Sequence, residues 1–80
     1  MPRIELEYFA QMREQAGCHR ETRDTQALSA AALYDELRDI HRFTLEPRKM
    51  RVAINAAFRP WDQVLADGDT VVFIPPVTGG

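Results

Sequence analysis

Alternation of polar and apolar residues predicts the strands of this chain. Residues 3–9, RIELEYF, and residues 50–55, MRVAIN, place apolar side chains at alternate positions, as half-buried strands do. Residues 70–74, TVVFI, are apolar at their last four positions, which is typical of a strand covered on both faces. The polar residues 19–24, HRETRD, predict an exposed strand. Residues 57–61, AFRPW, contain a proline and therefore predict an edge or broken strand.

Helical spacing predicts two helices between these strands. The shorter helix covers residues 10–17, and Gly17 is placed to act as its C-cap. The longer helix covers residues 30–41, with the Ser29 side chain as its N-cap. Three apolar residues of the longer helix recur at three- and four-residue spacing and are predicted to share a buried face: Leu33, Leu37 and Ile40.

The order of these elements predicts an α+β fold of the β-grasp, or ubiquitin-like, type. The last strand is the most apolar, so it should occupy the centre of a mixed sheet with the first strand beside it. One main helix covers one face of such a sheet. The other face must then be polar or meet a partner. We predict a globular domain over residues 1–74, with Trp61 in its core, and an extended tail over residues 75–80.

Length and charge exclude several classes of function. The chain has 80 residues, which indicates one domain, and its net charge is −2. An isoelectric point near 5.6 argues against nucleic-acid binding, which usually needs a basic surface. Cys18 is the single cysteine, so it cannot form an internal disulfide, and a reducing, cytoplasmic location is expected. The sequence contains neither a signal-peptide pattern nor an apolar stretch long enough to span a membrane.

Few polar residues are spaced for catalysis or for binding a metal. Cys18 next to His19 suggests an activated thiol, but nothing else supplies a catalytic partner, so we interpret it as an ordinary residue near a turn. His41 lies in the last turn of the longer helix, where positive charge suits the helix dipole. Asp67 and Asp69 flank a glycine and are best explained by a tight turn. We therefore expect no metal site and no bound cofactor.

Basic residues are concentrated in the second half of the chain. The simplest interpretation is a solvated face, and the alternative is a docking patch for an acidic partner or an anion. The basic residues concerned are Arg38, Arg42, Arg48, Lys49, Arg51 and Arg59.

The final residues 75–80, PPVTGG, predict a stiff and slender extension. Pro75 and Pro76 favour extended backbone, and six residues can reach about 20 Å. Gly79 and Gly80 carry no side chain, so they can enter a narrow channel in another protein. The expected reactive group is the carboxylate of Gly80, which is ionised at neutral pH. It needs activation as an acyl phosphate or acyl adenylate before it can accept sulfur or an amine.

Residues 54–80, INAAFRPWDQVLADGDTVVFIPPVTGG, resemble the MoaD-type small subunits of molybdopterin synthase, which are ubiquitin-like sulfur carriers of the ThiS/MoaD type. Residues 8–17, YFAQMREQAG, resemble the first strand and short helix of that family. The similarity covers nearly the whole chain. The most specific features are the DGD turn, the FIPPVTGG ending and the position of Gly80 as the last residue.

The resemblance implies a carrier that works with two partners. A MoeB-type, E1-like enzyme consumes ATP to adenylate Gly80, and a sulfur donor then converts the adenylate to a thiocarboxylate. The loaded tail enters the active site of a MoaE-type large subunit, in a heterotetramer, and gives sulfur to a pyranopterin precursor during molybdenum cofactor biosynthesis. Gly79 is the slim residue before the carrier, and the threaded stalk is formed by Pro75, Pro76, Val77 and Thr78.

The same resemblance implies that apolar residues contact the partners. Phe9 and Ile74 fall where the family places such contacts. Because the last strand is apolar on both faces, an uncovered apolar patch is also expected, and its candidate residues are Phe58, Val72 and Ile74. Two positions depart from the family pattern. Asn55 is not followed by glycine, which puts the turn geometry in question. Position 74 is isoleucine where phenylalanine is also known, which alters the fit to a partner.

Other functions share parts of this pattern. A sulfur carrier for thiamine synthesis, tRNA thiolation or cysteine synthesis would use the same tail with a different acceptor. A ubiquitin-like modifier would form an isopeptide through Gly80. A pure binding module of the same fold would not depend on the tail, and the diglycine and the acidic isoelectric point argue against it.

Overall fold

The computed structural model of the protein describes residues 2–76 and contains one five-stranded sheet. The predicted tail residues Val77, Thr78, Gly79 and Gly80 lie outside the described residues. The elements in chain order are β1 (Arg3–Glu7), α1 (Ala10–Ala16), β2 (Arg20–Asp24), α2 (Ala30–His41), a 3-10 helix (Pro47–Lys49), β3 (Arg51–Ile54), β4 (Ala57–Arg59) and β5 (Thr70–Ile74).

The sheet has the strand order β2-β1-β5-β3-β4. The central strand β5 pairs in parallel with β1, and the remaining pairs are antiparallel. The predicted central position of the last strand, its pairing with the first strand and the edge position of β4 are all confirmed. The arrangement is the predicted β-grasp, with its main helix on one face of the sheet.

The core lies between that face and α2. Ile4 and Leu6 of β1 are buried, and so are Tyr8, which directly follows β1, and Val71 and Phe73 of β5. Phe73 is fully buried; its ring meets Tyr34 edge-on at 5.1 Å and stacks on Trp61 at 5.9 Å. Trp61 is partly buried against the core, as its predicted packing role requires. In residues 2–76, neither helix has the length and hydropathy needed to cross a membrane.

The buried face of α2 differs from the predicted one at its C-terminal end. Leu33 and Leu37 are fully buried, but Ile40 is 47% exposed, so its predicted burial is wrong. His41 lies four residues after Leu37 and continues the buried stripe instead, because residues four apart share a helix face. The His41 ring packs against Phe43 with 5.3 Å between ring centroids.

The turn between β3 and β4 has the two-residue geometry that usually requires glycine. Asn55 and Ala56 have φ angles of 53° and 69°, and Ile54 pairs with Ala57 across the turn. Asn55 tolerates this region because its side chain makes local hydrogen bonds; here its amide donates to Asp69 and its oxygen accepts from the Thr70 N–H. The missing family glycine therefore leaves the turn in place, with alanine in the left-handed region.

Replacing Ala56 with glycine is expected to stabilise the protein. Glycine reaches a positive φ without the steric penalty of a Cβ, so the free energy of unfolding should rise by about 1 kcal/mol. Urea unfolding of Ala56→Gly measures this change. The matched control is Ala32→Gly in α2, where the same substitution should lower stability by about 0.5–1 kcal/mol. A loss of stability in Ala56→Gly would contradict the turn geometry.

Candidate functional site

The central strand leads directly into the predicted tail. β5 ends at Ile74, Pro75 is half-buried and Pro76 is exposed. Since β5 is hydrogen-bonded to β1 on one side and β3 on the other, the root of the tail is held by the middle of the sheet. A proline pair restricts the backbone at this exit. The fold therefore fixes the position of Pro75 and Pro76 at the end of the central strand.

The sheet face away from α2 carries an apolar strip beside this exit. We define the apolar strip as Ala53, Phe58, Val72 and Ile74. Val72 pairs with Ala53, and Ala53 pairs with Phe58, so their side chains lie side by side on one face. Phe58 is 60% exposed, whereas Val72 and Ile74 are half-buried. An uncovered aromatic residue in a continuous apolar patch is typical of a protein-binding surface.

Charged residues border the apolar strip on both sides. Glu7 pairs with Val72 in the sheet, and its carboxylate lies 3.7 Å from the Arg20 guanidinium. On the other side, the Arg51 guanidinium lies 4.6 Å from the Phe58 ring centroid, within cation–π range. Arg51 is also the sheet neighbour of Ile74, the last strand residue before the tail. The strip, one arginine and the tail exit therefore form a continuous surface.

Phe9 lies at the same end of the sheet. It is 47% exposed and is the N-cap residue of α1. Phe9 comes two residues after Glu7, and Ile74 comes two residues after Val72, so both follow the parallel β1–β5 pair in the same direction. Phe58, Val72 and Ile74 thus share one face, and Phe9 and Ile74 lie at one end of the sheet. Ala53 and Arg51 were not predicted as contacts, although their alternate positions in β3 place them on that face.

The DGD turn lies at the opposite end of the sheet and has a structural role. An Asp67 oxygen accepts a hydrogen bond from the Arg3 N–H at 2.7 Å. Asp69 accepts from the Ala66 N–H and from the Asn55 amide. The predicted tight turn is confirmed, and these bonds additionally tie it to β1 and to the β3–β4 turn. Among residues 2–76, no three His, Cys, Asp or Glu side chains are grouped to hold a metal ion.

Comparison with known proteins identifies the family. The sequence profile of the ThiS family matches residues 6–80, which includes the strip and the diglycine. This chain belongs to the ThiS family.

Two curated relatives of this ThiS-family protein have the same name, "Molybdopterin synthase sulfur carrier subunit". The Haemophilus influenzae protein is 36% identical over 91% of this chain and 94% of its own length. The Escherichia coli protein is 36% identical over 96% of this chain and 99% of its own length. A solved structure from Pyrococcus furiosus, described as a putative molybdopterin converting factor subunit 1, has a TM-score of 0.79 at 25% identity. That likeness covers 96% of this chain and all of the archaeal one (100%).

The ThiS-family chain also contains a polar cluster between β2 and α2. The Tyr8 hydroxyl donates to a Glu21 carboxylate oxygen at 2.6 Å, and the His41 Nε2 lies 2.6 Å from the same oxygen. His41 therefore joins the helix end to β2, a contact that the helix-dipole interpretation did not include. Tyr8 is fully buried, so its hydroxyl depends on Glu21 for a partner.

This cluster predicts a loss of stability at alkaline pH. Burial, followed by the hydrogen bond and negative charge of Glu21, raises the Tyr8 pKa, and burial also raises the Tyr34 pKa. Stability from a raised pKa is complete below the unfolded value of about 10 and is lost as pH rises above it. The free energy of unfolding should fall above pH ~10, by up to about 1.4 kcal/mol per pH unit per tyrosine. In Tyr8→Phe the fall should be shallower; an unchanged slope would contradict the role of Tyr8.

Cys18 does not have the environment of an activated thiol. The side chain is partly buried, and both burial and the Glu21 carboxylate raise the pKa of its thiol. A raised pKa lowers the thiolate fraction at neutral pH, and the thiolate is the nucleophile. The structure therefore supports the interpretation of Cys18 as an ordinary residue.

Proposed function

We propose that this protein is the sulfur carrier subunit of molybdopterin synthase. In this proposal Gly80 carries a thiocarboxylate and donates its sulfur to the pyranopterin precursor of the molybdenum cofactor. The observation that carries the proposal is the apolar strip, with its exposed Phe58, beside the root of the tail, in a chain whose relatives are named sulfur carrier subunits.

The chemistry of the carrier requires an activating partner. A carboxylate resists nucleophilic attack because it is already negatively charged at neutral pH. Attack of the Gly80 carboxylate on ATP forms an acyl adenylate and releases pyrophosphate. A sulfur donor then replaces AMP and leaves the thiocarboxylate. We assign adenylation to an E1-like, MoeB-type enzyme and the supply of sulfur to a separate donor, with both reactions in the cytoplasm.

The apolar strip is assigned to binding the large subunit. Phe58 is the most exposed apolar side chain of the strip and is its expected anchor, since aromatic residues often dominate the binding energy of an interface. Phe9 and Ile74 extend the contact towards the tail. The stalk formed by Pro75, Pro76, Val77 and Thr78 then passes into the large subunit, and Gly79 allows Gly80 to enter a narrow channel.

The mass of the intact protein tests the carrier function. The purified chain is incubated with ATP, the MoeB-type enzyme and a sulfur donor, and fragmentation locates any mass change. Replacement of one oxygen by sulfur at Gly80 is the expected result. Formation of molybdopterin after addition of the large subunit and the precursor would identify the acceptor. An unmodified Gly80 would contradict the carrier function, and isopeptide conjugates would indicate a protein modifier.

A further inference from the structure

Three arginines meet at the end of the sheet from which the tail leaves. β3 runs antiparallel to both β4 and β5, so the start of β3 lies beside the ends of the other two strands. Arg51 begins β3, Arg59 ends β4, and Arg48 lies in the 3-10 helix just before β3. Together they line a cleft of about 510 Å³, which we call the basic cleft, with Trp61 in its wall.

The basic cleft has little negative charge of its own. Of the described residues that line it, none is acidic. Arg48 makes an exposed ion pair with Glu46 at 2.6 Å, and an exposed pair of this kind contributes little. Within residues 2–76, Arg51 and Arg59 form no ion pair with a carboxylate. Positive charge is thus concentrated next to the tail root of a protein whose net charge is −2.

Negative charge is concentrated at the opposite end. Asp67 and Asp69 lie in the turn before β5, and Asp24 pairs with Arg3 at the start of β1. Since β1 and β5 run in parallel, these acidic residues and the tail exit are separated by the length of the sheet. Three of the basic residues noted in the second half of the sequence therefore lie together, at the end of the sheet where β5 leads into the tail.

We propose that the basic cleft binds carboxylate side chains of the protein that receives the tail. This inference rests on the proposed function and adds the chemistry of the partner's surface around the entrance of its channel. Arg51 contacts Phe58 and neighbours Ile74, whereas Arg59 pairs with Val52 on the other face of the same sheet edge. A protein that covers the apolar strip and reaches around the β4 edge therefore also covers the cleft. Covering arginines without providing acceptors removes their hydration at a large cost. The partner must therefore provide acidic residues at this position.

Charge complementarity at this position acts mainly on the association rate. Opposite charges at the border of an interface steer the two proteins during encounter, and salt weakens this effect. The basic cleft lies beside Ile74, the last strand residue before the tail, so attraction to the acidic surface also brings the root of the tail towards its channel. Correct orientation precedes insertion of the tail.

The test measures association of the chain with its cognate large subunit at low and high ionic strength. Arg59→Gln is compared with Arg3→Gln, which removes the same charge from an exposed arginine at the other end. Arg59→Gln should lower the association rate constant about threefold at low salt, and Arg48→Gln/Arg59→Gln about tenfold. Arg3→Gln should stay within about twofold of the original protein. The differences should largely disappear in high salt.

Two outcomes would overturn the inference. Equal rates for all variants would exclude a role of the basic cleft in association. An equal decrease in Arg3→Gln and Arg59→Gln would indicate net charge rather than a defined site. Absence of binding by the unsubstituted protein would instead overturn the proposed function. Trp61 fluorescence and thermal unfolding verify that each variant is folded before its rate is compared.

Discussion

Deletion of Gly80, or addition of one residue after it, is expected to reduce molybdopterin formation to the level measured without the carrier. The acyl group must lie at a fixed distance from the tail root, and β5 holds that root in the centre of the sheet. One residue changes the reach of an extended chain by about 3.3–3.6 Å, and a misplacement of about 1 Å can already cost a hundredfold in rate. Shortening and lengthening should therefore both abolish transfer.

The assay for this prediction separates activation from transfer. Thiocarboxylation is followed by the mass of the intact protein, and molybdopterin formation is followed with a large excess of precursor. A chain extended by one residue before Met1 is the matched control and should keep full activity. Thermal unfolding should be the same in all these variants, because the last residue of the buried core within residues 2–76 is Phe73. Full activity of the variant extended at Gly80 would contradict the role of its carboxylate.

Replacement of Phe73 with alanine is expected to unfold a large fraction of the protein. The ring is fully buried and contacts both Tyr34 and Trp61. Removing a buried aromatic ring typically costs 3–5 kcal/mol, roughly, because the remaining cavity only partly collapses. Domains are stable by only about 5–15 kcal/mol, so Phe73→Ala should lose a large part of this stability. Urea unfolding, followed by Trp61 fluorescence, measures the loss.

Phe58→Ala is the matched variant, because it removes the same ring from the other face of the sheet. Phe58 is 60% exposed, so its loss should change the free energy of unfolding by no more than about 1 kcal/mol, mainly through the lost contact with Arg51. Affinity for the large subunit should instead fall roughly 30-fold, as for an interface anchor worth about 2 kcal/mol. Equal stability losses in Phe58→Ala and Phe73→Ala would contradict the assignment of the two faces.

The order of elements could be predicted because the hydrophobic pattern changes period at each element. Residues 70–74 are apolar on both sides after Thr70, which is typical of a central strand. Ser29 caps α2 through its side chain, which accepts from the Ala32 N–H, and this contact is local in sequence. Patterns and caps of this kind depend only on residues close together in the chain, so they can be predicted from the sequence.

The polar cluster of Tyr8, Glu21 and His41 could not be predicted in the same way. Its members lie 13 and 20 residues apart in sequence; the pairing of β1 with β2 brings Tyr8 to Glu21, and the position of the α2 end brings His41 to the same carboxylate. The exposure of Ile40 has the same cause. The rotation of α2 that turns His41 towards Glu21 on β2 leaves Ile40, the preceding residue, exposed to solvent. Long-range contacts of this type leave no periodic signal.

Some residues of the candidate site could be predicted, but their arrangement could not. Phe58, Val72 and Ile74 were recognised as apolar residues near the tail, but their common face depends on the register between β3, β4 and β5. The basic cleft depends on the same register, because Arg48, Arg51 and Arg59 come from separate elements. The roles of Gly79 and Gly80 stay predictions, since those residues lie outside the described part of the chain.

The central position of β5 also bears on how the protein is made. The ribosome synthesises β1 to β4 before β5, yet β1 and β3 have no contact as strands until β5 lies between them. Non-local pairing of this kind delays folding, and an unfinished sheet exposes strand edges to proteases and aggregation. A nascent chain interrupted before Thr70 is therefore expected to lack the strand that joins β1 to β3 and to be sensitive to proteases. The complete sheet can therefore form only after the ribosome has synthesised β5, the strand that directly precedes the tail.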